Sequence, residues 1–335
     1  MLKLSFILPC YNVAPYFGRC IESIEHQDIP QTEYEVICVD DCSKDNTVEV
    51  IKEYQKQYPN IRLMCHTENK TAGGARNTAI AAAKGQYIWC VDPDDSIAEN
   101  SLKMLLDKAD RQNLDVLLFN RLSTDEEGNE QRVETYHNLD AVLAGIEFTT
   151  TCCAPKYMYN VASHTCSLYR RAFLEQNHIQ YPEIRSSQDV IFIWHSILLA
   201  KKVSSVDKVC YNVFRRANST TGSKGKLRAN AVISASILYA NEINRLRPLN
   251  NDERIDKNLL FEMRLTLDDD SRKILRTTLH EQRLFYREIC NYAAMVDQYK
   301  HLMNRKTKVI FNYHLPYPIW QIAMWGYILI GKCKR

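Results

Sequence analysis

The chain has 335 residues, 45% of them hydrophobic and 25% charged, and a formal net charge of +3. It is long enough for one large domain or two ordinary ones with proper cores, which excludes a disordered chain. So small a net charge gives no footing for nucleic-acid binding, and with only 10 glycines no Gly-rich phosphate loop dominates.

The first 120 or so residues alternate strand and helix by hydrophobic periodicity. Leu4 to Leu8 is a continuous apolar run, as in a strand buried on both faces. Pro15 opens a helix in which Phe17, Cys20, Ile21 and Ile24 keep helical spacing. Glu35 to Val39 is the next strand and ends at Asp40-Asp41. A helix from about Asn46 turns Val48, Ile51 and Tyr54 inward. Ile61 to Cys65 is a third strand, and Ala72 to Ala83 a helix of small residues. Tyr87 to Val91 is a fourth strand, Leu102 to Ala109 another helix, and Val116 to Phe119 another strand. This order predicts a mostly parallel sheet with right-handed crossovers. Residues 123–160 are polar, acidic and irregular, with an exposed turn at Asp125-Glu126-Glu127-Gly128-Asn129. Strand and helix signals return over 161–225. Beyond 228, Ala229 to Leu246, Lys257 to Leu279 and Glu281 to Met303 read as long amphipathic helices. The expected organisation is a catalytic domain over 1–225 and a helical accessory region over 226–335.

The 12 cysteines contain no Cys-x-x-Cys pair. Cys38 and Cys90 lie in apolar runs, where a reduced thiol acts as a small hydrophobe. The expectation is a reducing, cytoplasmic setting. Met1-Leu2-Lys3-Leu4 runs straight into a strand, without a secretory signal's apolar stretch. The C-terminal segment 315–335 is apolar and aromatic, then basic at Lys332, Lys334 and Arg335. It is short for a transmembrane helix. Two readings fit it: a peripheral contact at the inner face of a membrane, or a terminal helix packed on its own domain.

Three carboxylates crowd the end of the fourth strand, at Asp92, Asp94 and Asp95. Such acids suit a hard divalent cation, Mg²⁺ or Mn²⁺, or else a turn with Asp and Pro making local hydrogen bonds. In an open α/β sheet this edge is where ligands bind. Asp40-Asp41 and Leu8-Pro9-Cys10-Tyr11-Asn12 would reach the same edge. Tyr11 is suited to stacking on a nucleobase, and an Asp to accepting the imide N–H of uracil. The alternative for Asp40-Asp41 is a turn and cap with Ser43 and Asp45. Gly73-Gly74-Ala75-Arg76-Asn77 begins a helix, where glycines permit close backbone approach. Arg76 there can meet a phosphate or pin an Asp.

In order and spacing, Phe6-Ile7-Leu8-Pro9-Cys10-Tyr11-Asn12, Val39-Asp40-Asp41-Cys42-Ser43-Lys44-Asp45-Asn46-Thr47, Gly74-Ala75-Arg76-Asn77 and Val91-Asp92-Pro93-Asp94-Asp95 resemble family 2 glycosyltransferases. The resemblance covers roughly residues 1–225 and implies a GT-A fold, a Rossmann-like sheet flanked by helices, and a nucleotide-diphosphate sugar donor. By resemblance, Pro9, Tyr11 and Asp41 hold the nucleoside, with Asn12 in the same loop and Asp40 supporting it. Gly74 and Arg76 lie near the base or diphosphate. Asp92-Pro93-Asp94 matches the family's Asp-x-Asp element, with Asp92 at the ribose or sugar and Asp94 on the metal, Asp92 sharing it. Cys42 stands where the family often has Gly. Arg185-Ser186-Ser187-Gln188-Asp189-Val190-Ile191-Phe192 resembles the family's Glu-Asp element, with Gln188 in place of Glu and Asp189 as the catalytic base; read locally, Asp189 is a helix N-cap. Tyr211-Asn212-Val213-Phe214-Arg215-Arg216-Ala217-Asn218-Ser219 resembles a further segment that would put Arg215 or Arg216 on the diphosphate.

The resemblance therefore implies an inverting, metal-dependent transfer from a donor, UDP-linked by preference, to a glycan or lipid-linked acceptor in polysaccharide synthesis. Two other classes stand beside it. A sugar nucleotidyltransferase usually opens with a Gly-rich basic loop after the first strand, where this chain has Cys10-Tyr11-Asn12-Val13-Ala14-Pro15. A non-catalytic sugar-nucleotide-binding subunit or membrane scaffold would not need Asp92, Asp94 and Asp189 intact.

Overall fold

The computed structural model describes residues 2–124, 129–134, 163–184 and 188–214, with short stretches at 282–283, 286–287, 290, 312 and 314–323. The chain divides into two compact units, Met1–Ser219 and Thr220–Arg335.

The first unit is built on one mixed sheet. Strands β1 (Leu4–Cys10), β2 (Tyr34–Asp40), β3 (Ile61–Cys65) and β4 (Tyr87–Cys90) lie parallel in the order β3-β2-β1-β4. Helices α1 (Ala14–Glu25), α2 (Thr47–Gln57) and α3 (Thr71–Ala82) make the crossovers. Every residue of β1, β2 and β4 is buried, as unbroken apolar runs between helical layers require. α1 buries Phe17, Cys20, Ile21 and Ile24 and carries a proline in its first turn. In α2 Ile51 is buried, while Val48 and Tyr54 are only half-buried.

Past β4 the sheet departs from simple alternation. The remaining elements are β5 (Ser96–Ile97), α4 (Leu102–Gln112), β6 (Val116–Thr124), β7 (Glu130–Glu134), β8 (Ser167–Arg170), α5 (Arg171–Gln176), α6 (Gln188–Leu199) and β9 (Val203–Phe214). The full order is β3-β2-β1-β4-β8-β6-β9-β5, with β7 paired to β6. β8 runs antiparallel between β4 and β6, β9 parallel to β6, and β5 antiparallel to β9. β6 runs on to Thr124 and pairs antiparallel with β7, within the stretch expected to be irregular. Strands this short or this polar carry no periodic signal. Because β8 is antiparallel to β4, its start lies on the rim at which β4 ends.

In the second unit, Trp320 is fully buried and packs with Tyr286 and Tyr317, while Ile319 and Ile322 are exposed. Among the described residues no helix is long and apolar enough to cross a membrane. The helices expected at 229–246 and 257–279, and most of that at 281–303, lie outside the described residues.

Candidate active site

The carboxyl ends of β1, β2 and β4 form one rim. Cys10 is in register with Asp40, and Ile7 with Cys90. Pro9 decides where the sheet opens. The Ile7 carbonyl accepts the Val91 N–H at 3.0 Å, so the next backbone donor toward β4 would be that of Pro9, which has none. The β1–β4 ladder stops there and residues 92–95 leave the sheet as a turn, closed by an Asp95 N–H to Asp92 carbonyl bond of 2.9 Å.

Two loops from β1 and β2 are sewn together beside that opening. The Asn12 N–H donates to Ser43 Oγ at 3.0 Å, and Asn12 Oδ1 accepts the Lys44 N–H at 2.7 Å. Tyr11, between them, is 48% exposed, so its ring is open to a ligand. Asp40 makes the local turn, its Oδ2 accepting the Ser43 N–H at 3.2 Å. Cys42 adopts φ 66, the left-handed backbone that favours glycine, so the turn keeps its geometry despite the side chain. Asp41 is buried, and its Oδ1 takes both the Lys70 N–H and His66 Nδ1 at 2.8 Å. His66 Nε2 lies 2.9 Å from Thr78 Oγ1 on α3. The carboxylate is thus fastened to β3 and α3 before any ligand arrives.

Arg76 is 4% exposed and donates from Nη2 to Asp92 Oδ1 at 2.6 Å. Of the two partners open to it, it pins an Asp. Burial alone would lower the pKa of its guanidinium, but the Asp92 charge raises it. Arg76 Nε and Nη1 make no hydrogen bond to any described residue. Asp92 and Asp94 are half-buried. The Asp94 carbonyl accepts Arg19 Nη2 at 2.5 Å, and that guanidinium lies 3.4 Å over the Phe214 ring. Asp95 turns inward: Tyr211 Oη donates to its Oδ2 at 2.8 Å and the Phe214 N–H to its Oδ1 at 2.9 Å. Burial, then the Asp94 and Asp92 charges, push the Asp95 carboxyl well above the usual range. The Tyr211 hydroxyl also accepts the Asp92 N–H at 3.1 Å, so one phenol holds the turn at both ends.

Asp189 reaches the same place from far along the chain. It sits in the first turn of α6, inside the helix and not at its cap, with a side chain 32% exposed. α3 positions that turn. Gln188 Oε1 accepts the Gly73 N–H at 2.9 Å, and Asn77 pairs through its amide with the Tyr181 N–H and carbonyl, each at 2.8 Å. A Cβ on Gly73 would stand 2.5 Å from the Pro182 carbonyl oxygen, and one on Gly74 would stand 2.6 Å from Lys70 Cβ. The close approach that these glycines permit is therefore to the chain itself. Gln188, where the family has Glu, acts as a tie between α6 and α3.

Tyr181 and His164 were not anticipated. Tyr181 stacks on Phe192 of α6 at 3.9 Å, has the Arg76 guanidinium 5.2 Å from its ring and donates to Cys90 Sγ at 3.2 Å. His164, in the short turn before β8, is 4% exposed. Its Nε2 lies 3.9 Å from Asp92 Oδ1 and its Nδ1 3.9 Å from Asp189 Oδ2. Burial, then the Arg76 charge, lower its pKa to about 3. Neither lies in a periodic run, and each meets partners far off in the chain, Asp92 for His164 and Arg76 and Cys90 for Tyr181, so no local signal marks them. Arg215 and Arg216 follow β9 directly and lie outside the described residues.

The comparisons with known proteins agree with this architecture. The chain belongs to glycosyl transferase family 2, whose model matches residues 5–177. It is 31% identical over 220 residues to a poly(ribitol-phosphate) beta-glucosyltransferase of Bacillus spizizenii, covering 64% of this chain and 33% of that protein. It is 30% identical over 251 residues to the poly(ribitol-phosphate) beta-N-acetylglucosaminyltransferase TarS of Staphylococcus aureus, covering 73% of this chain and 40% of that one. The chain thus spans well under half the length of these two relatives. In fold it resembles S. aureus TarS 1–349 in complex with UDP-GlcNAc, with a TM-score of 0.71 at 24% identity, covering 97% of this chain and 89% of that one. The fold is GT-A.

Proposed function

We propose that this chain is an inverting glycosyltransferase that moves a sugar from a UDP-sugar to a hydroxyl of a glycan or lipid-linked acceptor. The observation that carries the reading is the convergence of Asp92 and Asp189, from segments far apart in sequence, on one buried imidazole at the rim where β1, β2 and β4 end. The names of the relatives support UDP-linked glucose or N-acetylglucosamine as donor and a polyol-phosphate polymer as acceptor.

Tyr11, exposed beside Pro9 and Asn12, would stack on the uracil, and Asp41, fixed by His66 and Lys70, would accept its imide N–H. Asp40 and Gly74 shape the same loops. Asp92, held by Arg76, would face the ribose or sugar. Arg215 and Arg216, next in sequence to Phe214, would reach the diphosphate. Asp92 and Asp94 offer hard carboxylate oxygens of the kind that Mn²⁺ and Mg²⁺ take. Among the described residues no group of three or more His, Cys, Asp or Glu converges to hold a metal; an ion on these two carboxylates would complete its shell with phosphate oxygens and water. When bound, such an ion would offset charge on the departing diphosphate.

Asp189, at the start of α6, is favoured as the ionised form by the helix dipole. It would take the proton of the acceptor hydroxyl as that oxygen attacks the anomeric carbon. The carbon–oxygen bond to the diphosphate breaks, its electron pair leaves with the nucleotide, and the centre inverts in one displacement. A cytoplasmic setting, and a peripheral membrane contact through 315–335, belong to the same reading; the exposure of Ile319 and Ile322 supports the latter.

The test is release of UDP from UDP-glucose and UDP-GlcNAc by the purified chain with poly(ribitol phosphate), with and without Mn²⁺ or Mg²⁺. Acceptor-dependent UDP release that needs the divalent ion and is lost in Asp94→Ala is expected. Pyrophosphate as the product, or donor binding without turnover under every condition, would overturn the reading.

A further inference from the structure

His164 is placed in a way that packing does not explain. Its turn is locked: Trp89 Nε1 donates to the Thr165 carbonyl at 2.7 Å, and Ser163 Oγ and Thr165 Oγ1 are 2.6 Å apart. The ring meets Tyr181 edge-on at 5.5 Å. Yet neither ring nitrogen makes a hydrogen bond to any described residue. Leaving a buried polar ring unsatisfied is costly, and a folded chain keeps such a cost where it serves something. What the nitrogens face is two carboxylates at 3.9 Å, each about a third exposed.

We infer that His164 is a positioning residue for the transfer proposed above, its Nδ1–H orienting the Asp189 carboxylate so that the other carboxylate oxygen faces the acceptor hydroxyl. The inference rests on that reading of Asp189 as the base. An imidazole in its neutral form carries one N–H and one acceptor nitrogen. Asp92 is already paired with Arg76 at 2.6 Å, so the proton is assigned to the nitrogen that faces Asp189. A separation of 3.9 Å exceeds a hydrogen bond by about 1 Å. Catalytic hydrogen bonds are often long in the unliganded protein and tighten in the loaded one.

The discriminating variants are His164→Ala, His164→Asn and His164→Gln, with UDP release from UDP-GlcNAc and UDP-glucose in the presence of poly(ribitol phosphate) as the readout. UDP affinity is measured by calorimetry alongside. In His164→Ala, kcat falls on the order of 100-fold, the cost of misplacing a reacting group by about 1 Å, while donor KM and UDP affinity hold. The Asn amide puts an N–H where Nδ1–H was and restores most of kcat. The Gln amide reaches the place of Nε2 and does not. Wild-type kcat in His164→Ala, or equal impairment of the Asn and Gln variants, would overturn the inference. Should the Ala variant fail to fold, the Asn and Gln pair decides alone. A wild-type chain that releases no UDP from either donor would instead remove the glycosyl-transfer reading, and this inference with it.

Discussion

The two rims of the parallel strands differ in how completely their central buried groups are bonded. At the amino-terminal rim, Glu35 is buried with every bond made. Ser5 Oγ donates to its Oε1 at 2.8 Å, the Lys84 N–H to the same oxygen at 2.6 Å, and Arg62 Nη1 to Oε2 at 2.8 Å. Gly85 closes the cluster, its N–H on Ser5 Oγ at 2.8 Å and no room for a Cβ, which would stand 2.4 Å from the Leu4 carbonyl carbon. At the carboxyl rim, Asp92 and Asp189 are each about a third exposed, and His164 behind them is close to both but bonded to neither. One rim spends its polar groups on the fold. The other fastens Asp41, Asp95 and the Arg76–Asp92 pair in the same manner but leaves both His164 ring nitrogens, and Nε and Nη1 of Arg76, without a bond among the described residues, as a site can where such groups are to act on a substrate.

The most direct way to break that contrast is Asp189→Asn. If the carboxyl rim exists for chemistry, this isosteric change lowers kcat by ~10²–10⁴-fold, with UDP affinity and melting temperature held. Single-turnover UDP release beside thermal melts measures both, and a variant that kept full kcat would leave the rim without a base. The converse change is Glu35→Ala. It strips three donors of their acceptor, so it costs about 2–4 kcal/mol of stability in urea unfolding, with kcat per folded molecule unchanged. Equal loss of activity would show that the two rims are not separable.

Gly73→Ala sharpens the comparison, because it acts on the link between α3 and α6 and alters neither carboxylate side chain itself. The new Cβ would meet the Pro182 carbonyl oxygen at 2.5 Å and Gln188 Oε1 at 2.8 Å, so the start of α6 must move. The expected outcome is a loss of about 1–3 kcal/mol in denaturant unfolding and a lower kcat, with UDP affinity kept. A drop in UDP affinity with kcat intact would place Gly73 on the donor instead.

The rim as a place was legible in the sequence; the means of holding it together were not. β1, β2 and β4 announce themselves as apolar runs that end in Tyr11, Asp41 and Asp92, because strand burial on both faces writes itself into consecutive residues. Arg76 and Asp189 were also visible as chemistry at helix starts. What escaped were the pairings between distant segments: Asn77 with Tyr181, Gln188 with Gly73, Tyr211 with Asp95, and His164 between two acids. Each is one or two polar contacts with no period. The glycine pair in particular reads as a ligand cradle until Pro182 is seen lying against it. The bounds and direction of β8 escaped for a related reason, although strand signal returns in its region. Four residues entering antiparallel leave no alternation to count, yet that reversal is what delivers His164 to the rim.

The smallest effect separates the rims by acidity. Burial would raise the Glu35 carboxyl, but the Arg62 guanidinium, the Lys84 N–H and Ser5 together hold it below its ordinary 4.5. A carboxyl whose folded pKa lies below its unfolded one adds stability that is present above the unfolded value and is lost as pH falls through the folded value. Glu35→Gln keeps one acceptor oxygen but cannot titrate. Its melting temperature therefore lies below that of wild type by a constant gap on the neutral side of 4.5, and the gap closes as the buffer is made more acid. Ser5 and Gly85 are untouched by the change, so the closing gap reports the carboxylate alone. A gap that held steady or widened in acid would mean that Glu35 is not the group whose charge the amino-terminal rim is built to keep.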